Sequence, residues 1–225
     1  MDAHTVLAAA EKNQGPMAIL IIGLMIVAAA AGFWIEHQRK KRIHAFAAAR
    51  SLTYTARDNR WARVDTGRPY GEGRSHKIKH VMTGAHRGRP ITIYEHQWTT
   101  GSGKESQTHV MHKTLIGLPK SFPRLELRQE GMFGRLARRM GMKDIELESD
   151  DFNQKYRVAG ERRFAYDVLH PRMMQWMLSA DAPGFTINGP YIALAGSGKL
   201  DLSRVDAEIQ YLDSIIEQLP RYVVG

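Results

Sequence analysis

From Asn13 to Ile35 the chain carries no charged residue, and Pro16 to Trp34, PMAILIIGLMIVAAAAGFW, is apolar at nearly every position. About 20 such residues at 1.5 Å rise cross the ~30 Å hydrocarbon layer of a bilayer. The pattern therefore predicts a transmembrane helix over 16–35, behind a short N-terminal segment, 1–15. Pro16 suits the first helical turn, where its missing N–H costs nothing. Phe33 and Trp34 stand where an interfacial aromatic belt belongs. The competing reading is a cleaved secretory leader, with the small residues Ala28 to Ala31 as its processing site. Against it, Asp2 and Glu11 face only Lys12 in the leading segment, and the apolar run exceeds the usual 7–15 residues of a leader.

Beyond the span the pattern changes. The alanine-rich RIHAFAAARSL, Arg42 to Leu52, extends the helix as part of a basic stalk over 36–52, and 53–225 forms one α+β domain. Arg57 to Gly73 is dense in Gly, Pro, Asp and Asn and reads as loop with a short strand. HKIKHVMTG and RPITIYEHQW flank AHRG and predict a hairpin. THVMHKTLIGL and RLELRQE read as two strands, separated by PKSFP, whose prolines forbid regular pairing. MFGRLARRMG predicts a short helix with Phe133, Leu136 and Met140 on one stripe.

DIELES and QKYRVAG read as two further strands. RRFAYDVLHPRMMQWMLSA is helical and restarts at Pro171. GFTINGPYIALAGSG carries Asn188-Gly189, a hairpin signal. The last helix keeps Leu202, Val205, Ile209, Leu212, Ile216 and Leu219 on one stripe, with Ser203 and Asp206 as a cap-like start. The expected fold is α+β: an N-terminal transmembrane helix, then a mostly antiparallel sheet packed by two or three helices.

Charge adds an orientation. Lys12 stands alone before the span, whereas Arg39, Lys40, Lys41, Arg42 and Arg50 follow it. The positive-inside rule then places the N-terminus outside and the domain in the cytoplasm. Residues 36–143 hold 23 Lys/Arg against 8 Asp/Glu, while 144–225 hold 8 against 13. A basic half beside an acidic half fits one face turned toward an anionic partner. The 225 residues contain no cysteine, which excludes disulfides, thiolate metal sites and cysteine nucleophiles.

One stretch carries a resemblance. In IELESDDFNQKYRVAGERRFAYDVLHPRMMQWML, Ile145 to Leu178, the residues Glu148-Ser149, Phe152, Tyr156, Val158, Ala165, Leu169 and Pro171, with the methionine-rich helix, resemble the bacterial domain-of-unknown-function 3137 family. GFTINGPYIALAG fits that family's closing strands. From the span to the last helix the chain also resembles actinobacterial single-pass membrane proteins, over most of residues 50–219. The resemblance implies a fold and a bacterial membrane setting, and it assigns no catalytic residue.

Candidate chemistry is sparse. His76, His80, His86, His96, His109 and His112 all fall in the sheet region, and adjacent strands can bring His80, His96 and His112 to one metal ion. No HExxH and no cysteine supports that set, and solvated or hydrogen-bonded histidines are the plainer reading. In ELESDD, Glu146 and Glu148 share a strand face, and Ser149 or Asp150 caps or closes a turn. GRPYGEGRSHK and GSGKES lack the GxxxxGK[ST] form of a phosphate loop, and no GxSxG occurs.

Trp34, Arg39, Lys40, Lys41, Arg42 and Arg50 are the expected membrane-surface residues. Cations beside an anionic inner leaflet contribute about 1 kcal/mol each. The RLARRMGMK segment either docks on that surface or packs its stripe inward and leaves Arg135, Arg138 and Arg139 in water. Trp61, Tyr70 and Tyr94 interleave with cations, but no nucleic-acid-binding motif accompanies them, and tethering argues against such a partner. FAYDVLHPRMMQWML reads as core through Met173, Trp176 and Met177, with a Met-rich partner groove as the alternative.

The sequence thus points to a non-catalytic interaction domain that binds a protein partner or the anionic membrane surface, with no cofactor. The alternative is a tethered hydrolase or ligand- or metal-binding sensor. That alternative requires a cleft lined by converging titratable groups.

Overall fold

A computed structural model describes residues 3–64, 73–129 and 145–224. The chain divides into two compact units, 1–46 and 47–225. The first is the body of one long helix, α1 (Ala3–Ala49). The helix begins well before the apolar run, so Pro16 lies inside it rather than in its first turn. From Met17 on it is long and apolar enough to cross a membrane, with a mean hydropathy of 2.6 over its most apolar 18 residues and none of that window buried. It ends at Ala49, short of the expected 52, and Ser51 then takes a left-handed φ of 54°.

The second unit is α+β, as the patterning predicts. Its strands are β1 (Thr53–Arg57), β2 (Arg74–His86), β3 (Arg89–Thr100), β4 (Gln107–Gln129), β5 (Tyr156–Gly160) and β6 (Thr186–Ser197). They form a six-stranded sheet in the order β1-β2-β3-β4-β5, with β6 also on β4 and every pair antiparallel. Helices α2 (Trp61–Val64), α3 (Asp150–Lys155), α4 (Arg162–Val168), α5 (Pro171–Ser179), α6 (Val205–Ile216) and α7 (Arg221–Val224) complete it.

The AHRG hairpin is present. Arg87 and Gly88 both have positive φ, 50° and 75°, the type I′ geometry that matches strand twist. Other expectations are corrected. The two strands around PKSFP are one strand, β4, that continues through Pro119 and Pro123. Its pairing with β3 ends at Ile116 and its pairing with β5 begins at Leu125. The prolines thus fall where neither of those neighbours needs an N–H donor. Asn188-Gly189 makes no hairpin either: Gly189, at φ 57°, sits within β6 where its register with β4 shifts around Phe122.

Within DIELES the described residues 145–149 form no strand, although Ile145 N–H donates to the Val158 carbonyl. Ser149 caps α3, its Oγ accepting from Phe152 N–H. α5 restarts at Pro171, capped by His170, whose Nδ1 accepts from Met173 N–H while Nε2–H donates to the Gln218 carbonyl. The last helix, α6, keeps its apolar stripe, but Arg204 is its N-cap without a side-chain bond, and Ser203 turns back to Asp201. The expected helix over MFGRLARRMG lies outside the described residues.

The register sets two buried faces. Ile91, Ile93 and Glu95 of β3 share one face with Ile116, Thr114 and His112 of β4, and α6 covers it. Thr92, Tyr94, His96 and Trp98 share the other with Leu115, Lys113, Met111 and His109. There Ile78, Val81, Tyr94, Leu115 and Ala193 form a cluster against which Trp61 and Tyr191 pack. Burial on both faces explains why β3 reads as a near-continuous buried run.

Candidate functional site

β4 and β6 change register together between Gly117 and Leu125, and residues on both sides of this shift line one cavity of about 610 Å³. Lys113 and Met111 line one side, Glu126 and Arg128 another, and Pro183–Phe185 a third. Gly184 makes this approach possible, because a Cβ there would overlap the Leu127 carbonyl. Gly117 does the same for the Pro90 ring. The volume lies within the 300–1,000 Å³ of small-molecule sites.

The lining combines apolar residues with the charged Lys113, Glu126 and Arg128. Trp98, Met111, Leu127 and Phe185 are among its apolar lining residues, though the Leu127 and Phe185 side chains are themselves buried. Lys113 and Glu126 are only 3% and 7% exposed. The Glu126 carboxylate takes a 2.6 Å bond from Arg124 Nη2 and a second from Arg128 Nη2. Two guanidinium groups therefore hold one carboxylate. Trp98 stacks on His109 at 5.2 Å, and His109 Nε2 lies 2.7 Å from Thr100 Oγ1. Trp98 itself is 7% exposed, and its Nε1–H has no hydrogen-bond partner among the described residues. An indole N–H is only a donor, and leaving it unpaired costs about 1–3 kcal/mol.

The opposite face carries the strongest polar network. His112 Nε2 lies 2.9 Å from Glu208 Oε1, and Thr114 Oγ1 donates to Glu208 Oε2 at 2.8 Å. Burial pulls the His112 pKa down, but the Glu208 bond and charge outweigh it and hold it above the ordinary value. Burial pushes Glu208 up, yet the His112 and Thr114 bonds hold it below the ordinary carboxylate value. Both shifts describe an ion pair. Beside it, Glu95 Oε1 accepts from Leu200 N–H.

The three histidines considered for a metal are held by different partners. His80 Nδ1 is 2.9 Å from the Tyr54 hydroxyl, His96 Nε2 is 2.8 Å from His76 Nδ1, and His112 faces Glu208 across the sheet from His96. Among the described residues no three His, Asp or Glu side chains gather as a metal site. Of the expected membrane-surface residues, Trp34, Lys40, Lys41 and Arg42 are exposed and Arg39 is half-buried, 3.6 Å from Glu36. Arg50 makes a two-point contact with Asp206, at 3.1 and 2.6 Å.

Sequence reasoning missed Glu208, Glu126 and Trp98. Only Glu208 left a trace, as a charge next to Ile209 on the stripe that predicts the buried face of α6.

These features define a class: one apolar helix able to cross a membrane, followed by an α+β domain with a ligand-sized cavity. No protein-family model matches the chain, and no curated protein does. Among solved structures it is similar to the mycobacterial trehalose monomycolate transport factor A, TtfA, with a TM-score of 0.56 and 14% identity. That similarity covers 80% of this chain and 95% of the other. At such identity the likeness is one of fold.

Proposed function

We propose that this chain is a single-pass membrane protein whose domain binds a partner without catalysis, with the N-terminus outside and the domain in the cytoplasm. One observation carries the reading: an exposed apolar helix passes Phe33 and Trp34 straight into the cations Arg39 to Arg42. The positive-inside rule gives that order its direction. The absence of catalysis rests on the use of the buried charges. His112 and Glu208 form one buried pair, and Glu126 is held by Arg124 and Arg128. The fold neighbour is named as a transport factor, which supports an accessory role in envelope or secretory assembly.

The test is purification of the full chain from mild detergent, with a topology reporter fused at the C-terminus. A stoichiometric protein partner and a reporter active only in the cytoplasm are expected. A reporter active only outside overturns the orientation, and a lone monomer that retains a bound metal overturns the binding role.

A further inference from the structure

Two imidazoles meet nitrogen to nitrogen on the sheet face opposite His112. His76 Nδ1 lies 2.8 Å from His96 Nε2, with ring centroids 5.1 Å apart. A neutral imidazole has one N–H and one lone-pair nitrogen, so one ring here donates to the other. Both nitrogens thus point at one place between the rings. On β4, Met111 stands directly opposite His96, and such cross-strand neighbours have Cβ atoms about 4.5–5.5 Å apart. Its thioether, on three rotatable bonds, has the reach to approach the His96 ring. Met111 is half-buried and lines the cavity of about 610 Å³, which gives an ion a path from solvent. Trp98, 7% exposed and edge-on to His96 at 5.9 Å, keeps water from another side.

We propose that His76, His96 and Met111 bind one copper(I) ion, through His76 Nδ1, His96 Nε2 and the Met111 thioether. The donor set selects the ion. All three donors are neutral and one is a soft sulfur, which suits Cu(I). Among the described residues no third His, Asp or Glu gathers with the pair, so no anion offsets the second charge of Zn(II) and no fourth ligand completes its tetrahedron. With metal–nitrogen bonds of about 2 Å the two nitrogens must stand about 3.5–4 Å apart, so one ring retreats. His76 can supply that movement. It is half-buried and falls where the register of β2 with β3 breaks, between Arg74 and Lys77, next to Ser75 at a left-handed φ of 56°. The hydrogen between the rings moves to the outer nitrogen of its own ring, and no net proton is released. The inference goes beyond the partner-binding role and needs no particular orientation in the membrane.

The test loads the full chain in mild detergent with Cu(I) under ascorbate, without oxygen. Copper per chain is measured after desalting, affinity by competition with bicinchoninate, and ligand atoms by X-ray absorption. One copper per chain is expected, with both nitrogen and sulfur neighbours. Groups that merely orient a metal's ligands are worth about 10–100-fold in affinity. Met111→Leu, close in volume, should therefore weaken binding by at least about tenfold and remove the sulfur neighbour. His76→Ala should weaken it by about a hundredfold or more. Zn(II) should compete at least about tenfold less well than Cu(I).

Thermal melting of each variant separates loss of binding from loss of fold, and the absorption spectrum of the parent chain needs no variant. A parent chain that keeps no copper overturns the proposal, as does copper held equally by both folded variants. A spectrum without sulfur removes Met111 from the site, and equal competition by Zn(II) overturns the choice of Cu(I). A stoichiometric protein partner on a chain that takes up no copper sinks this inference alone. Copper at this site in a chain without a partner sinks the partner-binding role and leaves this one standing.

Discussion

Gly196 has no side chain because the His112 imidazole fills the space where a Cβ would stand. Gly196→Ala should therefore displace His112 from Glu208. Overpacking of this kind costs about 1–3 kcal/mol, read as a lower melting midpoint of the detergent-solubilised chain. The same pair gives the domain a pH signature. The raised His112 pKa contributes stability that is complete below its ordinary value of 6.5 and fades as pH rises through the folded value. The lowered Glu208 pKa contributes stability that is complete above its ordinary 4.5 and fades as pH falls through the folded value. Both contributions are whole only between those two ordinary values. Denaturation of the parent chain at pH 5.5 and 8.5 should show more stability at the lower pH. Glu208→Gln should cost about 3–5 kcal/mol at pH 5.5, as removal of one partner of a buried pair does. It should also erase the His112 part of the pH dependence. An unchanged pH profile in that variant would show that the pair is not ionised.

At the scale of elements, Ser149 is the clearest test of local coding. Its hydroxyl accepts from Phe152 N–H at the start of α3, so Ser149→Ala should cost about 1 kcal/mol by chemical denaturation, with Ser149→Gly milder. That cap was legible in the sequence, as were the type I′ turn at Arg87-Gly88, the Pro171 restart and the stripe of α6. Each depends on residues within a few positions of one another. What misled were signals whose meaning depends on a distant strand. Asn188-Gly189 reads as a hairpin turn, yet the pairing of β6 with β4 turns it into a register break. Pro119 and Pro123 read as a strand boundary, yet β4 passes them because β3 has ended and β5 has not begun. The cavity was hidden for the same reason. Its lining, with Trp98, Lys113, Glu126 and Phe185, is set by where the register of β4 with β6 shifts, and no local pattern records that shift.

At the scale of the whole molecule, the governing quantity is the apolar length of α1 against the charges that follow it. An 18-residue window with a mean hydropathy of 2.6 satisfies the length and polarity of a bilayer crossing. A cleaved leader passes the same test of composition, and substitution within the span together with N-terminal peptide mapping separates the two readings. Lysine at the centre of a spanning helix costs about 2.5–3.5 kcal/mol. Leu24→Lys with Val27→Lys should therefore subtract roughly 5–7 kcal/mol from insertion and move the chain from the carbonate-washed membrane to the soluble fraction. Lysine at His44 and Ala48, beyond the apolar run, should leave it in the membrane. The same preparations, analysed by N-terminal peptide mass spectrometry, should retain peptides upstream of Asn13. A mature chain that starts near Gly32 would instead make α1's apolar run a leader, and would carry the domain to the far side of the membrane. Arg39 to Arg42 would then face the outer surface, against the charge asymmetry on which the orientation rests.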